Sequence, residues 1–128
     1  MILFFLSCSK GEKNDFDNKI IYANDYETDP ISGDTVYMIS IPSGFSPNSD
    51  GVNDMYCAKG FGMNNFTMKV FAGNGNMIFY SNDIFPGWDG RLQGRSNVLA
   101  MGMYDVDIST TDPLGTSHNY LHRITLFK

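Results

Sequence analysis

Asn48, Asp50, Asn53 and Asp54 place four oxygen-bearing side chains within seven residues. A hard cation such as Ca²⁺ takes about six to eight oxygen ligands, so this is where the chain would hold one. Asn48-Ser49-Asp50-Gly51 matches part of an EF-hand loop, but the bidentate Glu expected six residues after that glycine is replaced by Cys57. The alternative is that these side chains bond the loop's own backbone, as Asn and Asp do in turns, and the missing Glu favours it. His118 and His122 are four residues apart, a spacing that on a helix would present a metal pair. Their surroundings read as a strand, where four residues span roughly 13 Å, so shared ligation is not expected and both histidines take ordinary surface or half-buried roles. Ser49, Asp50 and a histidine lack the nucleophile elbow and oxyanion glycines of a hydrolase, so no catalytic residue is assigned. Trp88, the single tryptophan, could stack on a sugar, but one aromatic makes a poor platform and a core plug is favoured.

The oxygen cluster belongs to a longer stretch, Ile41 to Asp54, with two prolines, two glycines and several Asn and Asp. Proline fixes φ, glycine supplies positive φ and Asn/Asp bond their own backbone, so this is a folded loop and not a helix. The chain has 128 residues, 14% aromatics and 13 glycines, which suits short strands and tight turns. Its net charge of −5 is concentrated between Ser9 and Asp34, where three lysines face seven acidic residues. The remainder is nearly neutral, and no basic footprint for nucleic acid is present.

Met1 to Leu6 is a short apolar run, and Leu6-Ser7-Cys8 looks like the lipobox of bacterial lipoproteins, with Cys8 as the lipidated residue. An ordinary secretory signal, or a chance apolar start, is the competing reading. Residues 1–8 are therefore assigned to a signal with lipobox, and 9–34 to a flexible acidic linker with at most a short strand at Lys19–Ala23. If lipid consumes Cys8, Cys57 has no partner and becomes a small buried or free thiol; a Cys8–Cys57 disulfide is the minor alternative. No Cys/His group stands at metal spacing.

Residues 35–128 read as the folded domain, roughly 90 to 95 residues with a modest core. Tyr37, Ile39 and Ile41 alternate in a first strand, Met55 to Ala58 form a brief second one closed by the turn Lys59-Gly60-Phe61-Gly62, and Phe66, Met68 and Val70 mark a third. Ala72 to Asn76 is a hairpin turn leading to Met77–Tyr80. Tyr104, Val106 and Ile108 face inward in the next strand, Asp112-Pro113-Leu114-Gly115 turns the chain, and Tyr120–Phe127 closes it. Strands at about ten-residue spacing predict an all-β fold, a two-sheet antiparallel sandwich of about seven strands.

Pro42, Phe45, Pro47, Asn48, Asp50, Gly51, Asn53 and Asp54, followed in order by Trp88, Asp89 and Gly90 and then Gly102 and Tyr104, resemble the gliding-motility-associated C-terminal domain. That family is also described as the type B sorting domain of the type IX secretion system. The resemblance spans about Ile39 to Lys128. Gly73-Asn74-Gly75 stands where the family usually has Arg-Trp-Gly, and Ala100-Met101 where it often has a proline.

The resemblance implies an Ig-like β-sandwich that serves as an address read by the outer-membrane secretion and sorting machinery, without catalysis, cofactor or small-molecule substrate. It implies an exported protein at the outer membrane or cell surface, held there by lipid at Cys8, or secreted. Two alternatives stand beside it. One is a lipid-anchored binding module for glycan or an envelope partner protein; the other is the severed C-terminal end of a larger secreted protein.

Overall fold

The computed structural model of the chain describes residues 21–47 and 54–127. Among these, eight strands occur in the order β1 (Ile21–Thr28), β2 (Thr35–Pro42), β3 (Gly44–Phe45), β4 (Lys59–Phe61), β5 (Asn64–Phe71), β6 (Met77–Ser81), β7 (Gly102–Thr111) and β8 (Ser117–Leu126). They form a three-stranded sheet, β1-β2-β4, and a five-stranded sheet, β3-β8-β7-β5-β6. The fold is an all-β sandwich. Apolar side chains from both sheets form one buried cluster, including Tyr37, Ile39 and Ile41 from β2 and Met68, Val70, Val106, Ile108 and Ile124 from the larger sheet.

Period-two patterning explains the central strands. On β5 the buried residues are Phe66, Met68 and Val70, and on β7 they are Val106, Ile108 and Thr110, each alternating with half-buried neighbours. A one-residue slip would expose every one of them, so the pattern locks the register. β7 and β8 pair continuously from Gly102↔Leu126 to Thr111↔Ser117 across the Asp112–Gly115 turn. At the outer edge, the side chain of Gln93 donates to the Tyr80 carbonyl and accepts from the Tyr80 amide, both at 3.0 Å. This covers part of β6, whose backbone would otherwise be open to another strand.

Several expectations need correction. Residues 21–34 are not linker: β1 pairs with β2 from Ile21↔Pro42 to Thr28↔Thr35, and Asp29–Asp34 is a tight turn closed by Asp29 N–H to Asp34 O at 2.8 Å. The polar composition that suggested a tether is that of an edge strand with one solvated face. The signal and lipobox at residues 1–8 lie outside the described residues. Met55–Ala58 is not a strand; Tyr56 makes an isolated bridge to Trp88, and the pairing strand is Lys59–Phe61, read from sequence as a turn. The pairing of β3 with β8 is parallel, in a sandwich otherwise antiparallel. Cys57 is fully buried and disulfide-bonded, not a free thiol, and its partner falls outside the described residues.

Gly60 is why β4 could be mistaken for a turn. Its φ is 139°, and a Cβ there would overlap the backbone carbonyl of Met38 on β2. Only glycine allows this approach. Gly60→Ala is expected to cost at least about 2 kcal/mol in urea unfolding, from backbone strain and the steric clash together.

Candidate functional site

The described motif residues gather around one buried aromatic knot. Pro42 ends β2 and its carbonyl accepts a hydrogen bond from the Tyr56 hydroxyl at 3.1 Å. Tyr56 and Trp88 exchange both backbone hydrogen bonds at 2.8 Å, which draws the loop after β6 against the segment before β4. The indole of Trp88 is fully buried, 5.3 Å from the Phe45 ring and 5.5 Å edge-on to Tyr104. Its Nε1 donates to the Arg91 carbonyl at 2.9 Å, so the polar atom of the buried ring is satisfied. Trp88 therefore offers no face for a sugar. Phe45 is brought in by β3, and Tyr104 by β7, which opens at Gly102.

The neighbours of Trp88 hold its loop. The Asp89 carboxylate accepts from the Arg91 amide and from Arg91 Nη1, each at 3.1 Å. Gly90 has φ 84°, and a Cβ on it would sit 3.0 Å from the Pro47 ring and 3.4 Å from Leu126. The Tyr104 hydroxyl donates to the Ala100 carbonyl at 2.6 Å, and burial raises its pKa. Of the expected cation ligands, Asn48, Asp50 and Asn53 lie outside the described residues, as does Gly51; Asp54 is half-buried. The contacts of Pro42, Phe45, Trp88, Asp89, Gly90 and Tyr104 are structural: they fix the loop corner against the core.

A second cluster lies between the sheets. His118 on β8 contacts the Asp112 carboxylate through Nε2 at 2.8 Å and faces Asp25 of β1 through Nδ1 at 3.7 Å. Asp112 has no side-chain exposure, and His118 only 10%. The Asp112 carboxylate also accepts from the amides of Leu114 and Thr116 at 2.9 and 3.0 Å. The His118 hydrogen bond, followed by these amides, holds its carboxyl below the ordinary range. Tyr37 of β2 stacks on His118, with ring centroids 4.4 Å apart and 10° between planes.

The Tyr120 hydroxyl lies 2.6 Å from an Asp25 oxygen and 2.8 Å from the Tyr37 hydroxyl. Tyr120 spends its one proton on the carboxylate, so Tyr37 donates to Tyr120. Burial pushes Tyr37 up to about 12; burial and the bond to Asp25 raise Tyr120 as well. Both remain neutral phenols. This cluster was missed from sequence because its members are far apart in the chain: Tyr120 and Asp25 are separated by 95 residues. Asp112 at the head of a Pro-Leu-Gly turn signalled the hairpin, but nothing local tied Asp25 or Glu27 to it.

The CHU_C type IX secretion signal domain model matches residues 39–122, from the middle of β2 to the second histidine of β8. The chain belongs to this family. No curated protein matches it. The matched range of the CHU_C domain contains the whole aromatic knot together with Asp112 and His118. β1, with Asp25 and Glu27, lies before it.

Two measurements check the energetics. Tyr120→Phe removes the hydroxyl that joins Asp25 to Tyr37, and is expected to lower unfolding free energy by about 1–3 kcal/mol. Burial lowers the pKa of His122 from 6.5. The unfolded chain therefore binds the proton first, and this residue's contribution to stability is present above about pH 6.5 and is lost as pH falls through the lowered value. The stability difference between wild type and His122→Gln, followed by urea midpoint from pH 8 to pH 4, should shift in the variant's favour on acidification.

Proposed function

We propose that this domain is a non-enzymatic sorting address, read by the outer-membrane type IX machinery and leaving the protein that bears it at the cell surface or released. The observation that carries the reading is the family match over residues 39–122, which takes in seven of the eight strands in whole or part. An address is recognised by shape and surface, and the motif residues fit that use by fixing a loop corner against the core instead of lining a reactive cleft. The disulfide at Cys57 supports an oxidising compartment outside the cytoplasm. The reading assigns no catalysis, nucleic acid or small-molecule substrate to the domain.

Sugar stacking on Trp88, one form that a lipid-anchored binding module could take, is disfavoured because the indole is fully buried. Cys8, the expected lipid attachment point, lies outside the described residues. The sorting reading does not depend on that lipid.

The test is a reporter with its own signal peptide, followed by Met1–Lys128, expressed in a gliding bacterium. Export past the outer membrane is expected in a strain with the type IX machinery, and periplasmic retention in one without it. Retention in both strains would sink the proposal.

A further inference from the structure

We propose that Glu27, Asp112 and His118 form a binding site for a borderline divalent cation of the zinc(II) class, joining β1 to the β7–β8 hairpin. One ligand atom from each of the three lies within 4.8 Å of the others. They come from three separate places in the fold: the edge strand β1, the head of the Asp112–Gly115 turn, and β8. A cation there would pin β1, the outermost strand of the smaller sheet, onto the larger sheet.

Charge favours the same assignment. Asp25, Glu27 and Asp112 bring three carboxylates to one imidazole, which supplies at most one positive charge. The ion pairs of Asp25 and Asp112 described here both run to His118. Like charges gathered around a nearly buried group are screened less than in open water, so a further positive charge is favoured there. A divalent cation offsets their repulsion directly.

Donor chemistry and preorganisation decide the class of ion. An imidazole nitrogen with two carboxylates suits zinc(II) and similar metals, whereas Ca²⁺ and Mg²⁺ prefer all-oxygen sets. The imidazole is held flat against Tyr37, and Tyr37 is tied through Tyr120 to Asp25. Such outer contacts orient metal ligands in advance. Three protein ligands leave a coordination position for solvent, and His118, alone of the three, borders a depression of about 330 Å³ shared with Ser109, Thr110, Ser117 and Asn119. The site is independent of the sorting role, because it can bind metal whether or not the domain is exported.

The experiment is calorimetric titration of the full oxidised chain, stripped with EDTA and dialysed, with zinc chloride and in parallel with calcium chloride. Saturable uptake of one zinc per chain is expected, with a rise in melting temperature. Glu27→Gln should weaken uptake at least roughly tenfold, since even outer-shell losses cost that much, and His118→Gln should abolish it. Glu27 is half-buried on an edge strand, so its variant keeps the test open if His118→Gln fails to fold. Absence of saturable uptake, uptake unchanged in Glu27→Gln, or calcium binding as tight as zinc would each overturn the assignment.

Discussion

The backbone bridge between Tyr56 and Trp88 is the constraint on which most of this sandwich depends. Two hydrogen bonds at 2.8 Å are modest in energy, but they place the largest side chain of the protein between its two sheets. Phe45, Phe79 and Tyr104 pack on or beside that ring, and Tyr56 packs in turn on Phe45. Gly87 makes the bridge possible, since a Cβ at this position, with φ 92°, would overlap the Tyr56 carbonyl. The described part of the family signature is thus largely a description of how one indole is buried.

A different logic holds the opposite pairing of elements together. Where β1 and β2 meet β8, the contact is polar: two phenols, an imidazole and buried or half-buried carboxylates. Polar groups so placed are costly unless every partner is present, and the chain of bonds from Tyr37 through Tyr120 to Asp25 meets that demand. β1 lies outside the family match, yet it supplies Asp25 to this network. The outer strand is therefore chemically tied to the matched part of the domain and is more than a spacer in front of it.

Burial also separates the two kinds of tyrosine in the protein. Tyr56 gives its hydroxyl to a single backbone carbonyl in a wholly apolar setting, and its pKa is raised by burial. Tyr37 and Tyr120 instead donate in sequence across the sheets, Tyr37 to Tyr120 and Tyr120 to Asp25. The first use seals a loop, and the second sets the spacing between layers.

The sequence by itself determined the fold class, most strands and the family. Alternation at Tyr37–Ile41, Phe66–Val70 and Tyr104–Ile108 needs only local periodicity, and the motif from Pro42 to Tyr104 is read along the chain. Trp88 as a core plug also followed from its turn-rich setting. What tertiary structure alone decided was long-range pairing. A polar strand such as Ile21–Thr28 looks like a tether until β2 is beside it, and Lys59–Phe61 looks like a turn until Gly60 meets Met38. Cys57 could be read as a free thiol because a disulfide depends on proximity and not on spacing. The cluster around His118 was invisible for the same reason: hydrogen bonds between residues some ninety positions apart leave no periodic trace in the chain.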